Sequence, residues 1–282
     1  MMIATKQKIF IARTAATLVR MLRRATGAGR DAEVRRDGLN WQLDLGEGID
    51  FAIYLLGAFE RGTQRQYSEI LKAGDVALDI GANIGAHTLP IARCVGPGGQ
   101  VHAFEPTAFA FAKLQANIAR NPALGERITA GQTLLSDSEE AAPPAAIASS
   151  WPLDGGRRGH PLHGGHEKST DGAAAQTLDS YVTRSGLERI DFIKLDVDGN
   201  ECQVLRGGRE TLQRFHPPII LELAPYVFSS GENSFKAFIE LLQDTGYKLV
   251  RSPGGAALPL DAAALAEAIP DGASINAWAM RA

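Results

Sequence analysis

A strand that runs into a glycine-rich turn is the feature that most constrains the fold of this chain. Residues Val76–Gly85 read V-A-L-D-I-G-A-N-I-G, so an apolar run ends in Asp79 and opens directly into the turn. Glycine has no Cβ, and such a turn therefore accepts tight backbone angles and lets a ligand approach the main chain. A plain turn would explain the glycines by themselves. With the flanking apolar segments, the pattern predicts the first strand, turn and helix of an α/β nucleotide-binding fold.

A second acidic residue favours the ligand-binding interpretation. Gln100–Phe104 is strand-like and ends in Glu105, and an acidic residue at the tip of the second strand binds ribose hydroxyls in such folds. The carboxylate of Asp79 can likewise accept hydrogen bonds from ligand hydroxyl or amino groups. The turn lacks the G-x-G-x-x-G pattern, because Asn83 takes the place of the middle glycine. A dinucleotide site is therefore the less favoured interpretation.

Three sequence blocks support a more specific assignment. They are D-I-G-A-N-I-G at 79–85, H-A-F-E-P at His102–Pro106 and F-I-K-L-D-V-D-G-N-E at Phe192–Glu201. In this order they resemble the FkbM-type methyltransferase family, over roughly residues 39–223. The resemblance implies a class I, S-adenosylmethionine-dependent enzyme that methylates a hydroxyl oxygen. The family usually has D-V-E-G-x-E in the third block, and here Asp198 replaces the first glutamate with the same charge and a shorter reach.

The resemblance implies a site for S-adenosylmethionine at the carboxyl ends of the strands. Nine residues are assigned to it: Asp79, Gly81, Ala82, Asn83, Gly85, Glu105, Ser136, Asp137 and Asp196. Ser136 and Asp137 follow the expected third strand, where this fold contacts the adenine ring, although a generic polar turn explains them equally well. The G-A-F-E segment at Gly57–Glu60 matches a further family element and is expected near the sulfonium end of the cofactor.

Methyl transfer to a hydroxyl requires an aligned acceptor and a base for its proton. We predict that Asp196 is this base, because it follows the fourth strand beside the glycine turn. Asp198 and Glu222 are expected at the same edge of the sheet and are assigned to catalysis with it. Neighbouring carboxylates raise one another's pKa, which suits a base that works near neutral pH. The same carboxylates could ligate a divalent metal, but the resemblance implies none, and no metal site is predicted.

Three residues are assigned to the acceptor. Glu201 opens the helix after the third block, where it is either a partner of the helix dipole or an acceptor contact. His87 is a second candidate base, and a buried helix histidine is the alternative. Trp151 lies within residues 138–176, which are too long for an inert connection and are interpreted as a lid or acceptor-binding hairpin that also carries Arg157 and Arg158.

Three histidines of this long segment are regularly spaced, which raises the question of a metal site. His160, His163 and His166 recur at every third position. Without a regular element to hold them, three histidine side chains converge poorly on one ion. We therefore do not predict a metal there.

The N-terminal region is basic. Residues 1–36 hold nine Lys/Arg and two Asp/Glu, a net charge of +7, so the remainder carries −10 of the total of −3. Residues 4–25 have the periodicity of an amphipathic helix, and 26–38 are interpreted as a hinge. A helix packed on the main domain, attachment to an anionic membrane surface and docking of a partner are all left open. The acidic remainder argues against a nucleic-acid partner.

The other patterns predict a single Rossmann-like domain over 39–282, with a seven-stranded sheet, helices on both faces and the last strand antiparallel. Leu39–Leu56 is expected to form a β-hairpin before it, and Glu201–Phe215 one helix. Hydrophobic residues make up 45% of the chain, enough for a full core. No uncharged run exceeds thirteen residues, which excludes a membrane-spanning helix. With two cysteines that form no framework, we predict a cytoplasmic protein.

The predicted function is O-methylation of a sugar-containing or secondary-metabolite acceptor, which could be a small molecule, a glycan or a glycolipid. A catalytically inactive nucleotide-binding scaffold or regulatory domain is the alternative. The presence of Asp79, Glu105 and Asp196 together speaks against it, because a fold that has lost catalysis has no need of all three. A nicotinamide-dependent oxidoreductase is disfavoured by Asn83 in the turn.

Overall fold

The structure is a computed structural model that describes residues 5–140, 142–150, 152–153 and 166–282. Its strands are β1 (Asp31–Arg36), β2 (Leu39–Asp44), β3 (Val76–Ile80), β4 (Gln100–Phe104), β5 (Ile128–Gly131), β6 (Thr133–Leu135), β7 (Ala146–Ser150), β8 (His166–Ser169), β9 (Ala174–Gln176), β10 (Phe192–Leu195), β11 (Ile219–Leu223), β12 (Tyr247–Val250), β13 (Ala257–Leu258) and β14 (Ile275–Arg281).

Helices occupy most of the connections between these strands. The α-helices are α1 (Thr5–Ala25), α2 (Gly48–Leu56), α3 (Arg61–Ile70), α4 (Thr88–Val95), α5 (Ala108–Ala119), α6 (Pro122–Gly125), α7 (Leu178–Arg184), α8 (Glu201–Gly207), α9 (Arg209–Phe215), α10 (Phe235–Asp244) and α11 (Ala262–Ala268). Two short 3₁₀ helices lie at Pro225–Val227 and Gly231–Asn233. No helix of the described residues is long and apolar enough to cross a membrane.

The central sheet has eight strands in the order β13-β12-β14-β11-β10-β3-β4-β5. Five neighbouring strands of this sheet, β11, β10, β3, β4 and β5, run parallel to one another. Strand β14 is antiparallel to both of its neighbours, β11 and β12. This arrangement confirms the predicted class I fold with its antiparallel last strand. The two-residue strand β13 adds an eighth strand to the seven that were predicted.

Alternate residues of the central strands face two separate cores. On one face, Leu78, Ile193 and Leu221 pack with side chains of α7, α8 and α10. On the other face, Ala77 and Phe192 pack with side chains of α3 and α4. Because both faces are covered, β3 is buried along its whole length, as a central parallel strand should be.

The region before the sheet corrects two predictions. The hairpin forms between β1 and β2, with Asp37 and Gly38 at positive φ in the turn, whereas 26–38 were predicted as a hinge. Residues 48–56, predicted as the second hairpin strand, form α2. Alternation of the buried Phe51 and Ile53 suggested a strand, but short apolar runs do not distinguish a strand from a helix. The predicted N-terminal helix is confirmed as α1.

The predicted helix Glu201–Phe215 is two helices, α8 and α9, which meet at Gly208. A Cβ on Gly208 would lie 2.7 Å from Cδ2 of Leu178, so close packing of this turn against α7 fixes a glycine there. The break leaves Glu201 at the start of α8, where it was predicted.

The described parts of 138–176 include regular structure. Strands β7 and β8 form an antiparallel hairpin, and β9 pairs in parallel with β6. Trp151, Arg157, Arg158, His160 and His163 lie outside the described residues.

Candidate functional site

A cavity of about 520 Å³ lies at the carboxyl ends of β3, β4, β10 and β11. Cavities of this size hold small-molecule ligands, and in open α/β sheets they form at this edge. The start of α2, strand β7 and the residues after β11 complete its wall. The glycine turn, Glu105, Asp196 and Glu222 therefore converge on one cavity, because they lie at the carboxyl ends of neighbouring parallel strands.

The glycine turn forms the floor of this cavity. Gly81 and Asn83 have positive φ values of 81° and 48°, and both line the cavity together with Ala82. A Cβ on Gly81 would collide with the carbonyl oxygen of Asp196, so only glycine fits where β3 and β10 approach each other. Gly85 does not line the cavity, and the space beside it is taken by Leu114.

Glu105 is held rigidly at the cavity wall. Its side chain is buried, and its Oε2 accepts a hydrogen bond of 2.9 Å from the main-chain nitrogen of Asn83. Its Oε1 accepts hydrogen bonds from the main-chain nitrogen and the hydroxyl of Thr107, at 2.9 and 2.6 Å. Burial raises the pKa of Glu105. A carboxylate fixed in this way is a preorganised acceptor for ligand hydroxyl groups.

Asp79 lies behind the cavity. It is fully buried, and its Oδ2 accepts a hydrogen bond of 2.6 Å from the hydroxyl of Thr88. Its Oδ1 has no hydrogen-bond donor among the described residues and is 3.7 Å from Nζ of Lys194. Asp79 is not among the residues that line the cavity. Asp79 was predicted to contact the ligand, but its side chain contacts Thr88 and Lys194 of the protein.

Lys194 connects Asp79 with the cavity. Its Nζ donates a hydrogen bond of 2.8 Å to the carbonyl oxygen of Gly81 and lies 3.5 Å from Oδ2 of Asp196. Burial lowers the pKa of Lys194, but the charges of Asp196, Asp79 and Glu60 outweigh this effect and raise it. The side chain is therefore a buried ammonium group shared by the turn and the carboxylates.

Asp196, Asp198 and Glu222 all line the cavity. Burial and the charges of Asp196 and Glu222 raise the pKa of Asp198 well above its usual range. Burial and Asp196 raise the pKa of Glu222 to about 8, although the hydroxyl of Ser274 donates a hydrogen bond to it. The side chain of Asp196 is 37% exposed. Glu222 can thus carry a proton near neutral pH and donate a hydrogen bond inside the cavity.

Glu201 holds the turn before α8. It is buried, and it accepts hydrogen bonds from the main-chain nitrogens of Val197 and Gly199 at 3.2 and 3.0 Å. Burial raises its pKa to about 7. Glu201 does not line the cavity, so the structure supports its role at the helix start and places it away from the predicted acceptor contact.

His87 lines the cavity and faces Glu60. Its Nε2 is 3.7 Å from Oε2 of Glu60, and its Nδ1 is 3.4 Å from the hydroxyl of Tyr67. The ring is buried and packs edge-on against Phe59 and Tyr67. Burial alone would raise the pKa of Glu60, but His87 and Lys194 lower it to about 2. The two side chains thus form an ion pair whenever the imidazole is protonated.

The remaining predicted residues are not brought to the cavity. Asp137 forms an ion pair of 2.9 Å with Arg206, and Ser136 donates to Asp137 at 3.4 Å. Neither of the two lines the cavity, whose wall here consists of Thr133, Leu134 and Leu135 of β6. The adenine contact of Ser136 and Asp137 therefore lacks support from the geometry. Trp151, the third predicted acceptor residue, lies outside the described residues.

Tyr226 and Ser149 are two of the lining residues that sequence reasoning missed. Tyr226 follows β11 and lines the cavity, and burial and Glu222 raise its pKa to about 12. Its place shortly after the strand that carries Glu222 was a usable signal. Ser149 of β7 accepts a hydrogen bond of 3.0 Å from the side chain of Asn83, and its hydroxyl is 3.3 Å from that of Thr107. Nothing in the local sequence indicates this pairing.

No three or more His, Cys, Asp or Glu side chains come together as metal ligands in the part of the chain that the structure describes. His166, the described histidine of the predicted trio, lies in β8.

Comparison with known proteins gives one family. Residues 79–249 match the family model of the methyltransferase FkbM domain. The 31-O-demethyl-FK506 methyltransferase FkbM of Streptomyces tacrolimicus is 32% identical over 161 residues, which are 49% of this chain and 60% of that protein. The 2-O-methyltransferase NoeI of Sinorhizobium fredii is 29% identical over 189 residues, 63% of this chain and 75% of that protein.

A third relative, the hexuronic acid methyltransferase AglP of Haloferax volcanii, is 30% identical over 159 residues, 55% of this chain and 58% of that protein. This chain thus spans about three fifths of the length of two of the three relatives. A solved methyltransferase FkbM from Methylobacillus flagellatus aligns with a TM-score of 0.44 at 15% identity, over 77% of this chain and 50% of that one. Because the family model covers more than half of the residues, the chain belongs to the FkbM methyltransferase family.

Proposed function

We propose that this protein is an S-adenosylmethionine-dependent O-methyltransferase that acts on a hydroxyl of a sugar-containing or secondary-metabolite acceptor. Membership of the family supports methyl transfer as the reaction. The names of two relatives specify transfer to an oxygen, and that of the third specifies a hexuronic acid as its substrate. A cytoplasmic location is part of the proposal, and it is supported by the free thiols of Cys94 and Cys202.

The observation that carries this proposal is the convergence of Glu105, the glycine turn and Asp196 on one cavity. The residues present fit the cofactor. Glu105 would accept hydrogen bonds from the ribose hydroxyls, and Gly81, Ala82 and Asn83, which all line the cavity, would lie against the ligand. When bound, S-adenosylmethionine supplies a methyl group on a positively charged sulfur.

The carboxylates at the other end of the cavity provide the acid–base chemistry. Asp196 accepts the proton of the acceptor hydroxyl, because its side chain is accessible from the cavity and is held 3.5 Å from Nζ of Lys194. Glu222, with a pKa of about 8, carries a proton at neutral pH and donates a hydrogen bond to an acceptor oxygen. Tyr226 lies on the same side of the cavity and orients the acceptor. The protein thus aligns the hydroxyl and removes its proton.

Binding of the cofactor is the first test of the proposal. Calorimetric titration of the full chain with S-adenosylmethionine, S-adenosylhomocysteine and NAD should give micromolar affinity for the first two and none for NAD. Transfer of labelled methyl groups to neutral sugars, uronic acids and polyketides then identifies the acceptor. Binding of NAD alone would refute the proposal in favour of an oxidoreductase. Cofactor binding without transfer to any acceptor would favour the scaffold alternative.

A further inference from the structure

All large hydrophobic side chains that are exposed in the described part of the chain belong to α1 or α2. These side chains, which we call the apolar patch, are Leu18, Met21, Leu22, Leu55 and Leu56, and they are between 51% and 62% exposed. Scattered apolar side chains on a surface are ordinary, but a group of them marks an interaction site. Because the exposed apolar side chains are concentrated on two helices, we expect a binding partner to cover them.

The apolar patch lies on two helices that pack together. Leu18, Met21 and Leu22 are spaced by three and four residues, so they lie on one side of α1. The other side of α1 faces the protein, since Ala16 is fully buried in the N-terminal core. The guanidinium group of Arg23 lies 5.8 Å from the ring centroid of Tyr54, the residue before Leu55. Ala15 and Val19 of α1 also pack in the same core cluster as Tyr54. The exposed leucines of α1 and α2 therefore belong to two helices that pack on each other.

The charge around the apolar patch identifies the occupant. Helix α1 contains no Asp or Glu. Its exposed Arg13 and Arg24 lie eleven positions apart and therefore on the same side of the helix, within about 80° of Met21 around the helix axis. An exposed apolar stripe beside a basic stripe is typical of helices that lie in the interface of an anionic membrane.

We propose that α1 and the end of α2 form a docking surface for an anionic lipid bilayer. The apolar patch enters the boundary between headgroups and acyl chains, and Arg13 and Arg24 pair with lipid phosphates. This inference goes beyond the proposed methyl transfer and does not depend on it.

Helix α2 connects the docking surface with the cavity. Its first residues, Gly48 and Ile49, line the cavity, and its last two, Leu55 and Leu56, belong to the apolar patch. Nine residues of α-helix are about 13 Å long. Docking therefore places the cavity within about one short helix of the lipid surface.

Vesicle flotation of the full chain tests the proposal. We expect binding to vesicles of phosphatidylcholine mixed with phosphatidylglycerol, little binding to phosphatidylcholine alone, and loss of binding as the salt concentration rises. The double variant Arg13→Glu/Arg24→Glu should bind the mixed vesicles about thirtyfold less well. Its matched control is Arg209→Glu/Arg214→Glu on α9, which changes the net charge equally and should bind nearly as well as the native chain.

The apolar contribution is tested separately. Leu18→Gln/Leu22→Gln should lower partitioning at least tenfold, while its thermal midpoint stays near that of the native chain because both side chains are exposed. Leu22→Trp gives a direct readout, since insertion shifts the tryptophan emission to shorter wavelength. Equal binding to neutral and anionic vesicles, or no shift for Leu22→Trp, would overturn the proposal. So would dimers that dissociate in Leu18→Gln/Leu22→Gln without any vesicle binding by the native chain.

Discussion

The side chain of Lys194 donates a hydrogen bond of 2.8 Å to the carbonyl oxygen of Gly81. The same ammonium group is 3.7 Å from the carboxylate of Asp79 and 3.5 Å from that of Asp196. One buried cation thus holds the glycine turn, compensates the charge of the fully buried Asp79 and positions Asp196, the proposed base. Asp79, which the sequence suggested as a ligand contact, acts on the site through this cation.

Removal of the cation should cost stability. Lys194→Met leaves the buried carboxylate of Asp79 without its cationic partner, and we expect a loss of about 3–5 kcal/mol in the free energy of unfolding. Urea denaturation measures this loss. The double variant Lys194→Met/Asp79→Asn removes the unpaired charge as well, so it should be more stable than Lys194→Met. A double variant as unstable as the sum of both single changes would show that the two side chains are not coupled.

Cofactor affinity should depend on Glu105. Glu105→Gln keeps the size of the side chain but replaces one acceptor oxygen with a donor, and we expect binding of S-adenosylmethionine to weaken by about 1–3 kcal/mol. Calorimetry measures the change. Asp137→Asn is the control, because Asp137 is paired with Arg206 and does not line the cavity. An equal loss of affinity in both variants would show that Asp137 contributes to cofactor binding, as the sequence predicted.

The raised pKa of Glu222 predicts a dependence of stability on pH. Its pKa is about 8 in the folded protein against an ordinary value of 4.5, so the folded state keeps a proton that the unfolded state releases. Stability should therefore fall as the pH rises from about 4.5 to 8. Glu201, with a pKa of about 7, has the same sign. Glu60, with a pKa of about 2, has the opposite sign and acts below pH 4.5.

Thermal midpoints between pH 5 and 8.5 check this expectation. Glu222→Gln should have a flatter profile than the native chain, because its amide does not titrate. Glu188→Gln changes an exposed carboxylate and should leave the profile unchanged. A native-like slope in Glu222→Gln would mean that other groups cause the pH dependence.

The sequence predicted those parts of the site that follow from strand ends. Parallel strands bring the residues after them to one edge of the sheet, so the turn, Glu105 and Asp196 were identified from short motifs. Ser149 was missed because its contact with Asn83 spans 66 positions and depends on how β7 and β8 fold over the site. Glu201 was ambiguous because a glutamate in the first turn of a helix can serve the helix or a ligand equally well.

The same reasoning explains the errors in the N-terminal region. The segment 48–56 is too short and too apolar for its periodicity to separate a helix from a strand. Strand β1 has a charged sequence, D-A-E-V-R-R, with only Ala32 buried, and its pairing with β2 depends on the turn at Asp37 and Gly38. The secondary structure of both segments depends on tertiary contacts, which local composition does not encode.

Asp196 is the residue on which the proposed chemistry depends. Asp196→Asn keeps the shape of the side chain and removes the base, so kcat should fall by about 10²–10⁴-fold. Because the side chain is 37% exposed, we expect the free energy of unfolding to change little.

Glu201→Gln is the contrasting variant. Its carboxylate is buried on two main-chain nitrogens and does not line the cavity. It should lower the stability of the turn by about 1–3 kcal/mol and reduce kcat less than Asp196→Asn does. Methyl-transfer kinetics with the identified acceptor, together with urea denaturation of both variants, measure these differences. Full turnover by Asp196→Asn would move the base to another cavity carboxylate, and a collapse of turnover in Glu201→Gln at native stability would bring Glu201 into the chemistry.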